Sequence, residues 1–177
     1  LLFCALAVKI SDHKGPVIFK QTRVGRNGKL FTMYKFRSMY VDAEERKKEL
    51  MAQNETGGKT FKMKNDPRIY PFGRVLRKFS LDELPQLVNI IKGDMSIVGP
   101  RPPIPSEVAE YEPWHRMRLS VTPGLTCIWQ VSGRSNISFE GQMRLDNDYI
   151  RRDGKLGDDF KLILKTFKVV FKGEGAY

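Results

Sequence analysis

Asp82 and Glu83 are adjacent carboxylates in the stretch KFSLDELPQLVNIIKGDMSIVGPRP, residues 78–102, with Arg77 and Lys78 before them and Arg101 after. A carboxylate pair of this kind can work as acid and base, hold a metal, or supply a nucleophile. A purely local reading also exists. Ser80 with Glu83 matches the S-x-x-E capping box, and an acid in the first turn of a helix gains roughly 0.3–1 kcal/mol from the helix dipole. Capping explains the acids but not the cations around them. A helix N-terminus ringed by Arg77, Arg101, Lys35 and Arg37 is an anion site, and its natural ligand is phosphate. Carboxylates inside such a site repel the substrate unless a divalent cation lies between them. Mg²⁺ held by one or two carboxylates and by substrate oxygens relieves that repulsion and polarises phosphorus. Acid among base is therefore what phosphoryl transfer to a carboxylate nucleophile requires. An unperturbed carboxylate, with a pKa near about 4, is ionised at neutral pH and attacks without a general base.

The elements that must position these groups follow from the flanking pattern. Leu84, Leu87, Val88 and Ile91 mark the buried face of a helix that Gly93 stops, and Pro85 is tolerated only in a first turn, which puts Asp82 and Glu83 at the N-terminus. GPRPP breaks regular structure and holds Arg101 between prolines, a rigid presentation for a side chain that grips phosphate with two donors. Phe72, Val75, Leu76 and Phe79 recur at helical spacing, with Arg74, Arg77 and Lys78 on the remaining faces. The segment VIFKQTRVGRNGKLFTMYKFRSM predicts a hairpin turning at Asn27-Gly28, whose second strand sets Phe31, Met33, Lys35 and Arg37 on one face. Residues 41–54 predict a charged helix with Glu44 and Lys48 at i,i+4. The following ETGGKTFKMKNDP is a loop, an insertion in preference to a lid. SEVAEYEPWHRMRL is helix-like, and TPGLTCIWQVSGRS predicts turns around a short strand. In DDFKLILKTFKVVFKG, Phe160, Ile163, Leu164, Phe167 and Phe171 line one side of a helix and Lys161, Lys165, Lys168 and Lys172 another. Such a helix either lies in a membrane interface over anionic lipid or packs on the core with solvated lysines.

The whole chain, 177 residues with 11% aromatics, suits one domain of α+β class, mostly helical with an N-terminal β-hairpin. Its 31 Lys+Arg against 20 Asp+Glu give a net charge of +11, which points to an anionic partner without choosing among nucleic acid, membrane and phosphorylated small molecules. Cys4 and Cys127, far apart in sequence, suggest neither a disulfide framework nor a thiolate zinc site, and a reducing compartment fits them better. His13 and His115 are expected to be structural or solvent-facing. The opening LLFCALAV is apolar but well short of the ~20 residues that cross a bilayer. It is either the stump of a longer apolar segment or a piece of core helix or strand.

YKFRSM, LDELPQLVNIIKGDMSIVGPRP and PGLTCIWQVSGRS, in this order, resemble the bacterial sugar transferase family, the monotopic polyprenyl-phosphate phosphoglycosyl transferases. The likeness runs from GPVIFKQTRVGRNGK to the C-terminal KGEGAY. It implies one catalytic domain over residues 1–177, with 1–10 the remnant of a truncated re-entrant membrane helix and with amphipathic helices at the interface. The implied reaction moves a sugar-1-phosphate from a UDP-sugar to polyprenyl phosphate and releases UMP. This is the first membrane step of capsule, exopolysaccharide or glycan synthesis, on the cytoplasmic face of the bacterial membrane. By resemblance Asp82 is the nucleophile of an aspartyl-phosphosugar intermediate and binds Mg²⁺. Glu83 is its partner, in positioning, metal binding or acid-base help. Arg77 and Arg101 match positions that face substrate phosphates, and Lys35 and Arg37 occupy the family's K-F-R element. Arg134 and Asp146 are further carry-overs for which a structural role is the alternative.

Two other classes compete. A nucleic-acid-binding domain would account for the charge and for cations interleaved with aromatics, as in FTMYKFR. The chain carries no RNP-type, zinc-knuckle or helix-turn-helix signature, and acids crowd its most distinctive segment, so nucleic acid is not an expected partner. A non-catalytic membrane-surface module would explain the C-terminal helix and leave the Asp-Glu and Pro-Arg-Pro groupings without a purpose.

Overall fold

The computed structural model describes residues 1–50, 63, 65–133, 136–152 and 156–172. Helices dominate, joined by two small two-stranded sheets. The chain divides into two compact units. One is built from Leu1–Phe19 with Lys35–Pro85, the other from Lys20–Tyr34 with the described residues from Gln86 to Lys172.

In the first unit, helix α1 (Leu2–Ser11) packs on α3 (Pro71–Lys78). Cys4 and Val8 from α1, Leu76 from α3 and Phe36 from the end of strand β2 (Leu30–Phe36) form its core, with Val17, Ile18, Phe72, Leu81 and Leu84 around them. Each large side chain buried here contributes roughly 1.5–3 kcal/mol. Pro71 starts α3 at the position where its missing N–H costs nothing. Gly73 lets α3 touch the chain after β2, since a Cβ there would stand 2.1 Å from the Ser38 carbonyl oxygen. Helix α2 (Ala43–Leu50) carries an exposed Asp42–Arg46 pair at 2.7 Å. Within residues 41–54, positions 51–54 lie outside the described residues, as does most of the loop after them.

The hairpin forms as the sequence predicts. Strand β1 (Ile18–Val24) returns as β2 through a tight turn, with Asn27 at φ 55° and Gly28 at φ 79°. Phe31 and Met33 on β2 are buried with Met95 and Ile90 in the core of the second unit.

Helix α4 (Leu87–Ile91) departs from the expectation. Leu87, Val88 and Ile91 are exposed, Ile91 at 86%, while Gln86 and Asn89 are buried. Asn89 earns the interior by acting as a strand edge. Its Oδ1 accepts from the Tyr34 N–H at 3.1 Å, and its Nδ2 donates to the Thr32 carbonyl at 2.7 Å. Two backbone groups of β2 are thereby satisfied, which an apolar residue at this position could not do.

Beyond α4, β3 (Ser96–Val98) runs parallel to β4 (Gly124–Thr126), pairing Ser96 with Gly124 and Val98 with Thr126. The two chains cross closely: a Cβ on Gly124 would meet the Gly99 nitrogen at 2.1 Å. The helix-like stretch contains only the short α5 (Pro105–Ala109) and a 3₁₀ segment His115–Ser120. Helices α6 (Ile128–Ser132) and α7 (Phe139–Arg151) follow; α7 packs on the 3₁₀ segment, where buried His115 lies among the rings of Tyr111, Trp114 and Phe139. Helix α8 (Leu156–Lys172) packs on β3, β4 and α6, with Leu162 buried and Thr166 bonded to Thr126 at 2.7 Å. Its apolar stripe points the other way: Phe160, Leu164, Phe167 and Phe171 are exposed. On α1, Leu2, Phe3, Leu6 and Ile10 are exposed too. No helix among the described residues is long and apolar enough to cross a membrane.

Candidate active site

The acidic pair sits in a 3₁₀ turn, Leu81–Gln86, that precedes α4. The turn forms because α3 ends at Lys78 and Ser80 takes a left-handed conformation, φ 51°. Ser80 donates its N–H to the Arg77 carbonyl at 3.0 Å, and its own carbonyl accepts from the Glu83 N–H at 3.2 Å. The reciprocal capping box is thus replaced. The Glu83 carboxylate goes to Lys35 on β2, at 2.8 Å, with both side chains about 15% exposed.

Asp82 is buried at 7% exposure. Arg77, which the helical pattern alone assigned to an outer face, is half-buried. Burial pushes its guanidinium below its ordinary pKa, and the charge of Asp82 is the largest influence holding it up, followed by Asp66. The attraction is mutual and acts through a medium of lower dielectric than water, so Arg77 stabilises the buried Asp82 carboxylate. Asp66 and Arg68, both about 5% exposed, form a two-pronged ion pair with Nε–Oδ1 at 2.9 Å and Nη2–Oδ2 at 2.6 Å. Burial opposes the charge on Asp66, but the Arg68 hydrogen bonds outweigh it and its pKa lies below the usual carboxylate range. Tyr70, fully buried, donates its hydroxyl to the Arg37 carbonyl, and burial raises its pKa to about 12.

The structure thus brings Lys35, Arg77, Asp82 and Glu83 together in the first unit. Arg37 is placed differently from the expectation. Its guanidinium is 6% exposed, with Nε on the Pro16 carbonyl at 2.7 Å, Nη2 on the Asp12 carbonyl at 2.6 Å and Nη1 paired with the Asp12 carboxylate. Those bonds commit most of its donors to fastening the segment after α1 to the end of β2. Arg134 lies outside the described residues. Asp146 is 1% exposed on α7 and pairs with Arg118 at 2.7 Å, so the structural alternative applies to it. Burial lifts its pKa to about 6, with Arg118 pulling the other way. Arg101 belongs to the second unit, half-buried between the buried Pro100 and Pro102.

Sequence reasoning did not single out Asp66, Arg68 or Arg118. The first two stand in NDPR, where a proline separates opposite charges, a usable signal. Arg118 stands in HRMR, where nothing distinguishes it from a surface cation.

Among the described residues no group of three or more His, Cys, Asp or Glu could hold a metal ion. Two adjacent carboxylates, one already tied to Lys35, are too few donors for a structural zinc or calcium site. They fit Mg²⁺, which takes one or two carboxylates and fills the remaining positions with water and phosphate oxygens.

A model of the family described as bacterial sugar transferase matches residues 1–173. The chain is 48% identical over 182 residues to the galactosyl transferase CpsE of Streptococcus agalactiae, covering 99% of this chain and 40% of that protein. It is 45% identical to the undecaprenyl-phosphate galactose phosphotransferase of Salmonella typhimurium, covering 99% of this chain and 38% of that one. It is 41% identical to the exopolysaccharide production protein ExoY of Rhizobium meliloti, where the match covers all of this chain and 79% of the relative. The chain therefore spans about two fifths of the length of the first two relatives.

Proposed function

The chain belongs to the bacterial sugar transferase family, and from that membership we propose that it is the catalytic part of a polyprenyl-phosphate phosphoglycosyl transferase. It moves a sugar-1-phosphate from a UDP-sugar to undecaprenyl phosphate or a similar lipid phosphate. The names of its relatives, an undecaprenyl-phosphate galactose phosphotransferase and an exopolysaccharide production protein, support that substrate class.

The observation that carries the mechanism is the buried Asp82 carboxylate under the charge of Arg77, with its neighbour Glu83 already engaged by Lys35. Of the two acids, Asp82 is taken as the nucleophile on the family resemblance, and Glu83 as its Lys35-paired neighbour. An Asp82 carboxylate oxygen bonds to the phosphorus that carries the sugar, and the bond from that phosphorus to the bridging oxygen of the diphosphate breaks. The electron pair leaves with UMP. An oxygen of the lipid phosphate then attacks the same phosphorus and the Asp82–phosphorus bond breaks, which restores the carboxylate and yields lipid diphosphate-linked sugar. Arg77 neutralises charge beside the nucleophile in both steps, the electrostatic contribution that such sites depend on. Glu83 and Lys35 position the turn. Asp82 and Glu83 are the residues that would hold Mg²⁺, and bound there it would supply Lewis-acid polarisation of the phosphoryl oxygens. Arg101 binds a substrate phosphate.

Membrane association is part of the same reading. It is supported on α1 by exposed Leu2, Phe3, Leu6 and Ile10, and on α8 by exposed Phe160, Leu164, Phe167 and Phe171 beside Lys161, Lys165 and Lys168. The catalytic part then works on the cytoplasmic face of the bacterial membrane, where UDP-sugars are made.

The test is UMP release from a UDP-sugar in the presence of Mg²⁺ and solubilised polyprenyl phosphate. Release that requires the lipid phosphate for turnover and stops on chelation supports the proposal; no release from any of a panel of UDP-sugars refutes it.

A further inference from the structure

The segment that carries Arg101 is held in an unusual way. Four consecutive carbonyls, from Pro100 to Pro103, each accept a hydrogen bond, and the donors lie in three other parts of the second unit: β4, the 3₁₀ segment at 115–120 and the end of β1. Pro100 accepts from the Gly124 N–H at 2.9 Å, and Pro103 accepts from the Val24 N–H at 2.9 Å. Between them, Arg101 accepts from Arg118 Nη2 at 2.9 Å and Pro102 from Arg23 Nη1 at 2.9 Å. The prolines at 100, 102 and 103 lack N–H groups and have φ fixed by their rings, so the segment has little freedom left.

Both guanidiniums are themselves oriented. Arg118, 6% exposed, is paired with Asp146 at 2.7 Å and donates Nη1 to the Tyr111 hydroxyl at 2.9 Å. Arg23 is fixed by Gln21 Oε1, which accepts from its Nε at 3.1 Å and its Nη2 at 2.6 Å. A buried ion pair is a poor source of stability, because desolvation offsets the attraction and an apolar pair of the same volume often does as well. An ion pair whose cation reaches past its counter-ion to one backbone carbonyl has a different use: it sets where that residue stands.

We propose that Arg118 and Arg23 are positioning residues that lock the 100–103 backbone so that the Arg101 side chain is presented in one orientation to substrate phosphate. The inference rests on the reading of Arg101 given above. Neither arginine need touch substrate. Preorganisation of this kind matters because displacement of a binding group by about 1 Å can cost on the order of 10²-fold in rate.

The experiment measures kcat and KM for the UDP-sugar in the full chain with lipid, for Arg118→Lys, Arg23→Lys, Arg101→Ala and both doubles with Arg101→Ala. Lysine keeps the charge opposite Asp146 but cannot reach its carboxylate, the Tyr111 hydroxyl and the Arg101 carbonyl together. Each lysine variant is expected to lose roughly ten- to a hundredfold in kcat/KM, in the same parameter that Arg101→Ala affects, and to cost nothing more once Arg101 is alanine. Losses that multiply in the doubles, or lysine variants with wild-type kcat/KM, overturn the positioning role while leaving Arg101 as a substrate ligand. Wild-type turnover in Arg101→Ala overturns the reading of Arg101 and the positioning role with it. Should Arg118→Lys melt at a markedly lower temperature, Arg23→Lys, on a half-buried side chain, decides the matter.

Discussion

Asp82→Asn keeps the size and burial of the side chain and removes only the charge and the nucleophilic oxygen. UMP release should fall by at least about 10³-fold, because an amide cannot form the acyl phosphate, in a variant that still unfolds cooperatively though less stably, since Arg77 loses the charge that offsets its burial. Lys35→Met tests the neighbour: it removes the ion pair that holds Glu83 at 2.8 Å, and a milder loss of roughly tenfold in kcat is expected. Asp66→Asn separates support from chemistry. Arg68 holds Asp66 below its ordinary pKa in the folded chain, so the folded state binds fewer protons than the unfolded one near pH 4. The pair's contribution is present in full above the unfolded value of about 3.9 and is lost as pH falls through the lower folded value. Urea melts should show the variant less stable at pH 7, by up to about 3–5 kcal/mol, because the two-pronged pair with buried Arg68 is lost, and the gap should narrow below pH 4. The acidic pair was legible in the sequence because its cations stand close by. The ion pair of Arg37 was not legible, because strand alternation says nothing about Asp12, 25 positions earlier, which takes its guanidinium.

The hairpin was legible down to its turn residues, since Asn-Gly suits left-handed conformations wherever it occurs. Helix α4 was not. Its apolar residues face outward and Asn89 faces inward, an inversion that follows from hydrogen bonds to β2 that no pattern of hydrophobicity encodes. Asn89→Leu should therefore destabilise the chain despite adding apolar surface, since the Tyr34 N–H and the Thr32 carbonyl are left unpaired at about 1–3 kcal/mol each. Denaturant midpoints measure it. The parallel pairing of β3 with β4 was hidden for another reason: strands of three residues are too short to show a period, and their contact depends on the Gly99–Gly124 crossing.

The proposed membrane association rests on a net charge of +11 and on two exposed apolar stripes, those of α1 and α8. Binding to vesicles containing phosphatidylglycerol should weaken severalfold in Phe160→Ser/Phe167→Ser and should also weaken with added salt, whereas a helix packed on its own core would show neither effect. The amphipathic period of α8 was plain in the sequence; which face the fold would cover was not, because the contact runs through Leu162 and Thr166 and the larger aromatics stay outside. The central claim is the covalent step on Asp82. Mixing the chain with a UDP-sugar and Mg²⁺ but no lipid phosphate, then quenching, should give an intact mass increased by one sugar phosphate, mapped to the peptide containing Asp82 and absent from Asp82→Asn. UMP release at the level of one per enzyme without that adduct, or the same adduct in Asp82→Asn, would contradict it.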